Sequence, residues 1–212
     1  MIVRDIHRDS LAISTALSEY YVPHAILPRD VIPVLNSAGV RFMLVGAHGI
    51  GGWMNAPRTT QDVDLVVGVR GEKKAVRVLL SAFPWLVADD RGIVIRLKDR
   101  ESNAVVIDVI KPHEPLFRVA LKHAHTIEAE GHTVSIPSLE LALAMKFAAM
   151  ISPNREDDKK HLDAHDFIRM VKTNPNIDLD TLTELGQLVY NGGGAEIVEK
   201  VRQVRAGEKL RL

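Results

Sequence analysis

The stretch Arg58-Thr59-Thr60-Gln61-Asp62-Val63-Asp64-Leu65-Val66-Val67 decides how the rest of the chain is read. Val63, Leu65, Val66 and Val67 are β-branched or apolar, so the segment is predicted to form a strand. Successive side chains on a strand alternate faces, which puts Asp62 and Asp64 on the same side, a few ångströms apart. Two like charges that close are unfavourable unless a proton or a cation joins them. Hard divalent cations such as Mg²⁺ take carboxylate oxygens and substrate phosphates as ligands. The bland alternative is a half-exposed strand with two solvated acids.

Outward from this stretch, the preceding segment Arg41 to Val45 reads as a buried strand. It runs into Gly46, Gly49, Gly51 and Gly52 within seven positions. Glycines after a strand allow a sharp turn and close approach to a ligand, and a helix starting there aims N–H groups at an anion. A packing turn of small residues is the competing reading. The run Gly46-Ala-His-Gly-Ile-Gly-Gly52 is no Walker loop, because no Gly-Lys-Ser/Thr follows. Further on, Ala104 to Ile110 is a buried-type strand with one charge inside it. An aspartate there is costly unless paired or metal-bound, so Asp108 becomes a third site candidate, against the alternative of a strand end near solvent.

The remaining elements follow from periodicity and punctuation. Residues 1 to about 25 form a helical or irregular lead-in, punctuated by Pro23 and Pro28, with Leu11, Ile13, Leu17 and Tyr20 expected to pack. A helix over Arg29 to Ser37 stops at Ala38-Gly39. Glu72 to Ala82 and Glu114 to Ala124 read as helices, and Ile93 to Leu97 as a strand after a hairpin-like signal. His125 to Ala129 and His132 to Ile136 form a hairpin through Glu130-Gly131. Ser138 caps a strongly apolar helix that carries Lys146, and three more helices are expected over Asp157 to Lys172, Leu179 to Tyr190 and Ala195 to Arg205. Trp53 and Trp85 are expected to pack, with base stacking as an alternative for Trp53. The change from mixed α/β to all-helical places two domains at 1–136 and 137–212.

Composition narrows the field less. The 212 residues are 46% hydrophobic and 25% charged, as in an ordinary globular chain, and Lys plus Arg equals Asp plus Glu at 27 each. A polyanionic partner is therefore neither favoured nor excluded by net charge. The absence of cysteine excludes disulfides and thiolate metal sites. Asp5, Arg8, Asp9 and Glu19 stand where a signal peptide would need an apolar run, and no uncharged stretch is long enough to span a membrane. The chain thus reads as cytoplasmic, with no membrane partner. His161 and His165 lie four apart on a predicted helix, a transition-metal spacing, but no third ligand is evident.

Strand, glycine turn, Arg-x-Thr-x-Asp-x-Asp and a later strand with one Asp resemble the nucleotidyltransferase superfamily. More closely they resemble its small bacterial AbiEii-like and minimal-nucleotidyltransferase members. The matching segments are Leu44 to Gly52, Arg58 to Val67, Ile107 to Ile110 and Pro137 to Phe167. The resemblance implies an α/β (α+β) fold: a polymerase-β-like mixed sheet with flanking helices, followed by a C-terminal helical domain. It also implies a Mg²⁺-dependent transfer of a nucleoside monophosphate from an NTP to an RNA, protein or small-molecule acceptor, with a toxin–antitoxin pair as one setting. Asp62, Asp64 and Asp108 would hold two Mg²⁺ ions and act as the catalytic carboxylates. Gly46 would start the triphosphate turn, Arg58 and Thr59 would lead into the D-x-D, and Lys146, Asp163 and Asp166 would line the nucleotide cleft. Position 47 is Ala where the family usually has Gly or Ser, leaving His48 as the substitute donor. The alternative is a non-catalytic relative that binds nucleotide or a toxin or antitoxin partner.

Overall fold

The computed structural model describes residues 3–21, 26–129 and 131–210, so Pro23 and Glu130 lie outside the described residues. The chain divides into two compact units, Met1–Pro137 and Ser138–Leu212. Among the described residues, no helix is long and apolar enough to cross a membrane.

The first unit is built on a five-stranded mixed sheet. Its strands are β1 (Phe42–Leu44), β2 (Val63–Val67), β3 (Leu86–Asp90), β4 (Val94–Asp99) and β5 (Val105–Ile110), in the order β1-β2-β5-β4-β3. Only β2 and β5 run parallel; the other pairs are antiparallel. Alternation along each strand divides the sheet into two faces. Leu65, Val67, Leu97, Ile107 and Val109 belong to the buried core shared with Val31, Ile32 and Leu35 of α2 (Pro28–Ser37) and Ala75 and Leu79 of α4 (Glu72–Ala82). Each such Val, Leu or Ile side chain contributes about 1.5–3 kcal/mol on burial. Asp64, Arg96 and Asp108 occupy the alternate, half-buried positions. The glycine run forms α3 (Gly46–Met54) directly after β1.

A separate hairpin, β6 (Ala124–Ala129) and β7 (His132–Pro137), adds Ile127, Val134 and Ile136 to the core. The helix expected over Glu114 to Ala124 is shorter: α5 covers Pro115–Val119 and a 3₁₀ turn covers Ala120–Lys122. Strand β3 has no counterpart in the sequence reading. It is an edge strand that buries little beyond Leu86, so it lacks a period-two signal. Trp85, expected to pack, is half exposed and meets Phe83 edge-on at 5.5 Å between ring centroids.

Helix α1 (Val3–Tyr21) departs furthest from expectation. Leu11 is buried, but Ile13 and Tyr20 are exposed, whereas His7, Ser10, Ser14, Thr15 and Ser18 are buried. Its inward face is polar because it meets the glycine face of α3. A Cβ added to Gly51 would sit 2.4 Å from Ser10 Oγ, and one on Gly52 would sit 2.4 Å from His7 Nδ1.

The second unit contains α6 (Leu139–Ile151), α7 (Asp157–Thr173), α8 (Leu179–Gln187) and α9 (Gly193–Ala206). Ser138 caps α6 by accepting a hydrogen bond from Leu141 N–H, and Asp178 caps α8 by accepting from Asp180 and Thr181. Leu141, Leu143 and Phe147 of α6 and Phe167 and Met170 of α7 are among the fully buried residues of this unit, in which α6 packs on both α7 and α8. The helix expected from Ala195 begins two residues earlier, with Gly193 and Gly194 in the first turn of α9.

Candidate active site

The parallel register of β2 and β5 sets Asp64 directly opposite Asp108. Adjacent strands lie about 4.8 Å apart, so paired residues on one face bring their side chains together. Asp62 sits in the bend just before β2 and turns to the same place. One carboxylate oxygen from each of Asp62, Asp64 and Asp108 lies within 4.8 Å of the others, and all three residues are half-buried. Among the described residues, this is the only cluster of three His, Cys, Asp or Glu side chains so arranged. An all-oxygen, partly open set of this kind suits a hard divalent cation such as Mg²⁺.

The backbone around the cluster is fitted to it. Gly46 has φ +59°, and a Cβ there would lie 1.9 Å from Asp64 Oδ2. Only glycine permits both the left-handed backbone and the aspartate's position. From Gly46 the nine residues of α3 begin, and the first N–H groups of a helix have no intrahelical acceptor. Thr60 Oγ1 donates to Asp62 Oδ1 at 2.5 Å and so holds the first carboxylate. Arg96 of β4 pairs with Asp108 in register, and its Nε is 3.8 Å from Asp108 Oδ1. Sequence reasoning missed Arg96. Its signal was an arginine inside the alternating run Val94-Ile-Arg-Leu-Lys98, whose meaning depends on β4 pairing with β5.

His48 is placed differently from the substitute donor expected. It is buried, with Nδ1 2.8 Å from Ser14 Oγ of α1. Burial pushes its pKa down to about 4, opposed by Asp62 and reinforced by Arg58, so the ring is neutral at pH 7. The Ala47 methyl is also buried. Trp53 packs edge-on against His7 at 4.4 Å between ring centroids and donates its indole N–H to Pro137 O at 3.0 Å, which is a packing role.

Lys146, Asp163 and Asp166 come together in the second unit. Lys146 Nζ lies 2.8 Å from Asp163 Oδ1 and 2.7 Å from Asp166 Oδ2, and Arg155 Nε lies 2.7 Å from Asp163 Oδ2. Both aspartates are fully buried. Arg155, in the break before α7, gave no sequence signal beyond its charge. His165 is mostly exposed beside Asp166.

No protein-family model matches the sequence, and no curated protein matches it. Solved structures do. The antibiotic-resistance factor ANT(2'')-Ia aligns with a TM-score of 0.50 at 9% identity, over 85% of this chain and 95% of that one. The chain has the nucleotidyltransferase fold. An antigenic nucleotidyltransferase-like protein from Paracoccidioides brasiliensis aligns over 95% of this chain and 94% of that one, with a TM-score of 0.48 and 19% identity. Terminal uridylyl transferase 4 from Trypanosoma brucei, solved with bound GTP, aligns at 0.33 and 15% identity, over 88% of this chain and 57% of that one. The Asp64–Asp108 pair is carried by two adjacent, parallel, interior strands of the sheet, with β1 beside β2 and β4 beside β5.

Proposed function

We propose that the chain is a Mg²⁺-dependent nucleotidyltransferase, in which an acceptor hydroxyl on an RNA, a protein or a small molecule attacks the α-phosphorus of an NTP, taking the nucleoside monophosphate and releasing pyrophosphate. The observation that carries this reading is the convergence of Asp62, Asp64 and Asp108 beside the start of α3. Asp62, Asp64 and Asp108 would hold the metal, with two ions expected. Bound Mg²⁺ supplies charge stabilisation to attacking and leaving oxygens in an in-line displacement. The chain's own groups do the rest. The first-turn N–H groups of α3, at Gly46, Ala47 and His48, attract the triphosphate. Thr60 fixes the Asp62 rotamer, and Gly46 leaves room for the Asp64 carboxylate. Asp108 takes the acceptor's proton, and Arg58 and Thr59 set the approach of the chain to the site. Lys146 already has two carboxylate partners, so the nucleotide site proposed here rests on the first unit.

The test is incubation with each labelled NTP and Mg²⁺ in the presence of cell RNA and protein. Label is expected in one acceptor class from one or more NTPs, and Asp64→Asn should abolish it. Calorimetric titration should show NTP binding in Mg²⁺, tightened by Ala47→Ser. Binding without transfer by the wild type would favour a non-catalytic nucleotide-binding relative.

A further inference from the structure

We propose that Ser14 and His48 are positioning residues for the carboxylate cluster, acting through the backbone of Arg58 to Thr60. The proposal rests on the reading of that cluster as a divalent-cation site. Helix α1 buries a face of hydroxyls, and buried hydroxyls are costly unless each has a partner. Two of these partners lie in the segment that leads to the D-x-D. Ser14 Oγ donates to Arg58 O at 2.9 Å, and Ser18 Oγ accepts from Thr60 N–H at 3.2 Å. Thr60 in turn donates through its own hydroxyl to Asp62 Oδ1. Arg58 to Thr60 has no regular secondary structure, so these bonds, rather than a ladder, register it against α1.

Hydrogen-bond arithmetic fixes the role of His48. A carbonyl oxygen only accepts, and a serine hydroxyl has one proton. Since that proton goes to Arg58 O, Ser14 must accept from His48 Nδ1–H across their 2.8 Å contact. The neutral ring therefore carries its proton on Nδ1 and holds the serine in the rotamer that reaches Arg58. Glycines 51 and 52 let α1 come close enough to α3 for these side chains to meet. The resulting path runs His48, Ser14, Arg58 backbone, Thr60, Asp62.

Mn²⁺ binding to the full chain, read by its paramagnetic resonance, provides the test. Asn presents its amide N–H where His has Nδ1, whereas Gln presents it nearer Nε2. His48→Gln and Ser14→Ala should weaken Mn²⁺ binding about tenfold, the lower end of what losing an outer-shell partner costs, while His48→Asn stays within about twofold of wild type. The control is Ser10→Ala, also buried on α1 but outside the path, which should leave Mn²⁺ affinity unchanged. Equal affinities for His48→Asn and His48→Gln would overturn the proposal, as would Ser14→Ala no weaker than Ser10→Ala. If Ser14→Ala does not fold, the two His48 variants decide alone. Nitrogen-15 spectra should show the Nδ1–H tautomer; the Nε2–H tautomer overturns the assignment. A wild type with no Mn²⁺ affinity that Asp64→Asn removes would sink the cation-site reading itself, and this proposal with it.

Discussion

Two groups of acids in this protein are built in opposite ways. In the second unit, Asp163 and Asp166 face a shared ammonium, Lys146 Nζ, at 2.7–2.8 Å, and both are at most 2% exposed. In the first unit, Asp62, Asp64 and Asp108 turn their oxygens toward one another and remain half open to solvent. The first arrangement is closed: its cations are side chains of the same unit, and its charges are already matched at bonding distance. The second has Arg96 Nε 3.8 Å from Asp108 Oδ1 at one edge and stays half open where its oxygens converge. Buried, matched acids stabilise a fold or are tolerated by it, whereas converging, accessible acids are kept at some cost in repulsion. Sequence alone points to the strand aspartates, but that Asp163 and Asp166 are buried against Lys146 is visible only in the structure.

The largest effect should come from breaking the closed group. Lys146→Met removes the shared ammonium and leaves buried carboxylates facing each other, so it should destabilise the protein by about 3–5 kcal/mol. Urea denaturation should give the same loss in EDTA and in Mg²⁺. A loss under about 1 kcal/mol would show that the cluster is not closed as described.

The open group should behave in the reverse sense. Without metal, Asp64→Asn relieves repulsion and should raise or barely change the melting temperature. With Mg²⁺ at a hundredfold excess over its Kd, the wild type should gain about 2–3 kcal/mol that the Asn variant mostly lacks. Equal destabilisation in both buffers would place Asp64 with the structural acids and erase the contrast.

Acid should sharpen the comparison at the support behind the open site. Burial holds His7 and His48 at about 4, with His125 adding to the effect at His7. In the unfolded chain both titrate near 6.5. The unfolded state therefore takes up protons first, so stability is full above pH 6.5 and falls as pH drops toward 4. Each ring should cost on the order of 2 kcal/mol by about pH 5, read as a falling midpoint in urea. A flat profile between pH 7 and 5 would mean that the α1–α3 contact admits charged imidazole.

The smallest effect concerns Ser10, whose buried hydroxyl has no hydrogen-bond partner among the described residues. Ser10→Ala should therefore be neutral or stabilising by up to about 1 kcal/mol, unlike Ser14→Ala, which leaves Arg58 O and His48 Nδ1 without their partner. Destabilisation by Ser10→Ala would mean that every hydroxyl on α1 has a structural role.

What the sequence by itself determined about this protein is its local grammar and its chemistry-bearing residues. Helix α4 is legible to the residue because Ala75, Val76, Leu79 and Leu80 repeat at helical spacing, whereas the glycine run after β1 reads as a turn and only the structure makes it the nine-residue helix α3. Asp64 and Asp108 stand out because a charge inside an apolar strand needs a reason. Only the tertiary structure decided which of these residues meet. The pairing of Asp64 with Asp108 is a register between strands more than forty positions apart, and the placement of Arg96 beside them depends on a second such register. Helix α1 runs against expectation at Ile13 and Tyr20, because an apolar stripe is expected to face inward. Its partner's glycines reverse that rule, since they admit hydroxyls at a distance that no side-chain-bearing helix allows. Periodicity is written in neighbours along the chain and can be read there; pairing, register and the burial of a polar face are properties of two segments at once, and neither segment carries them alone.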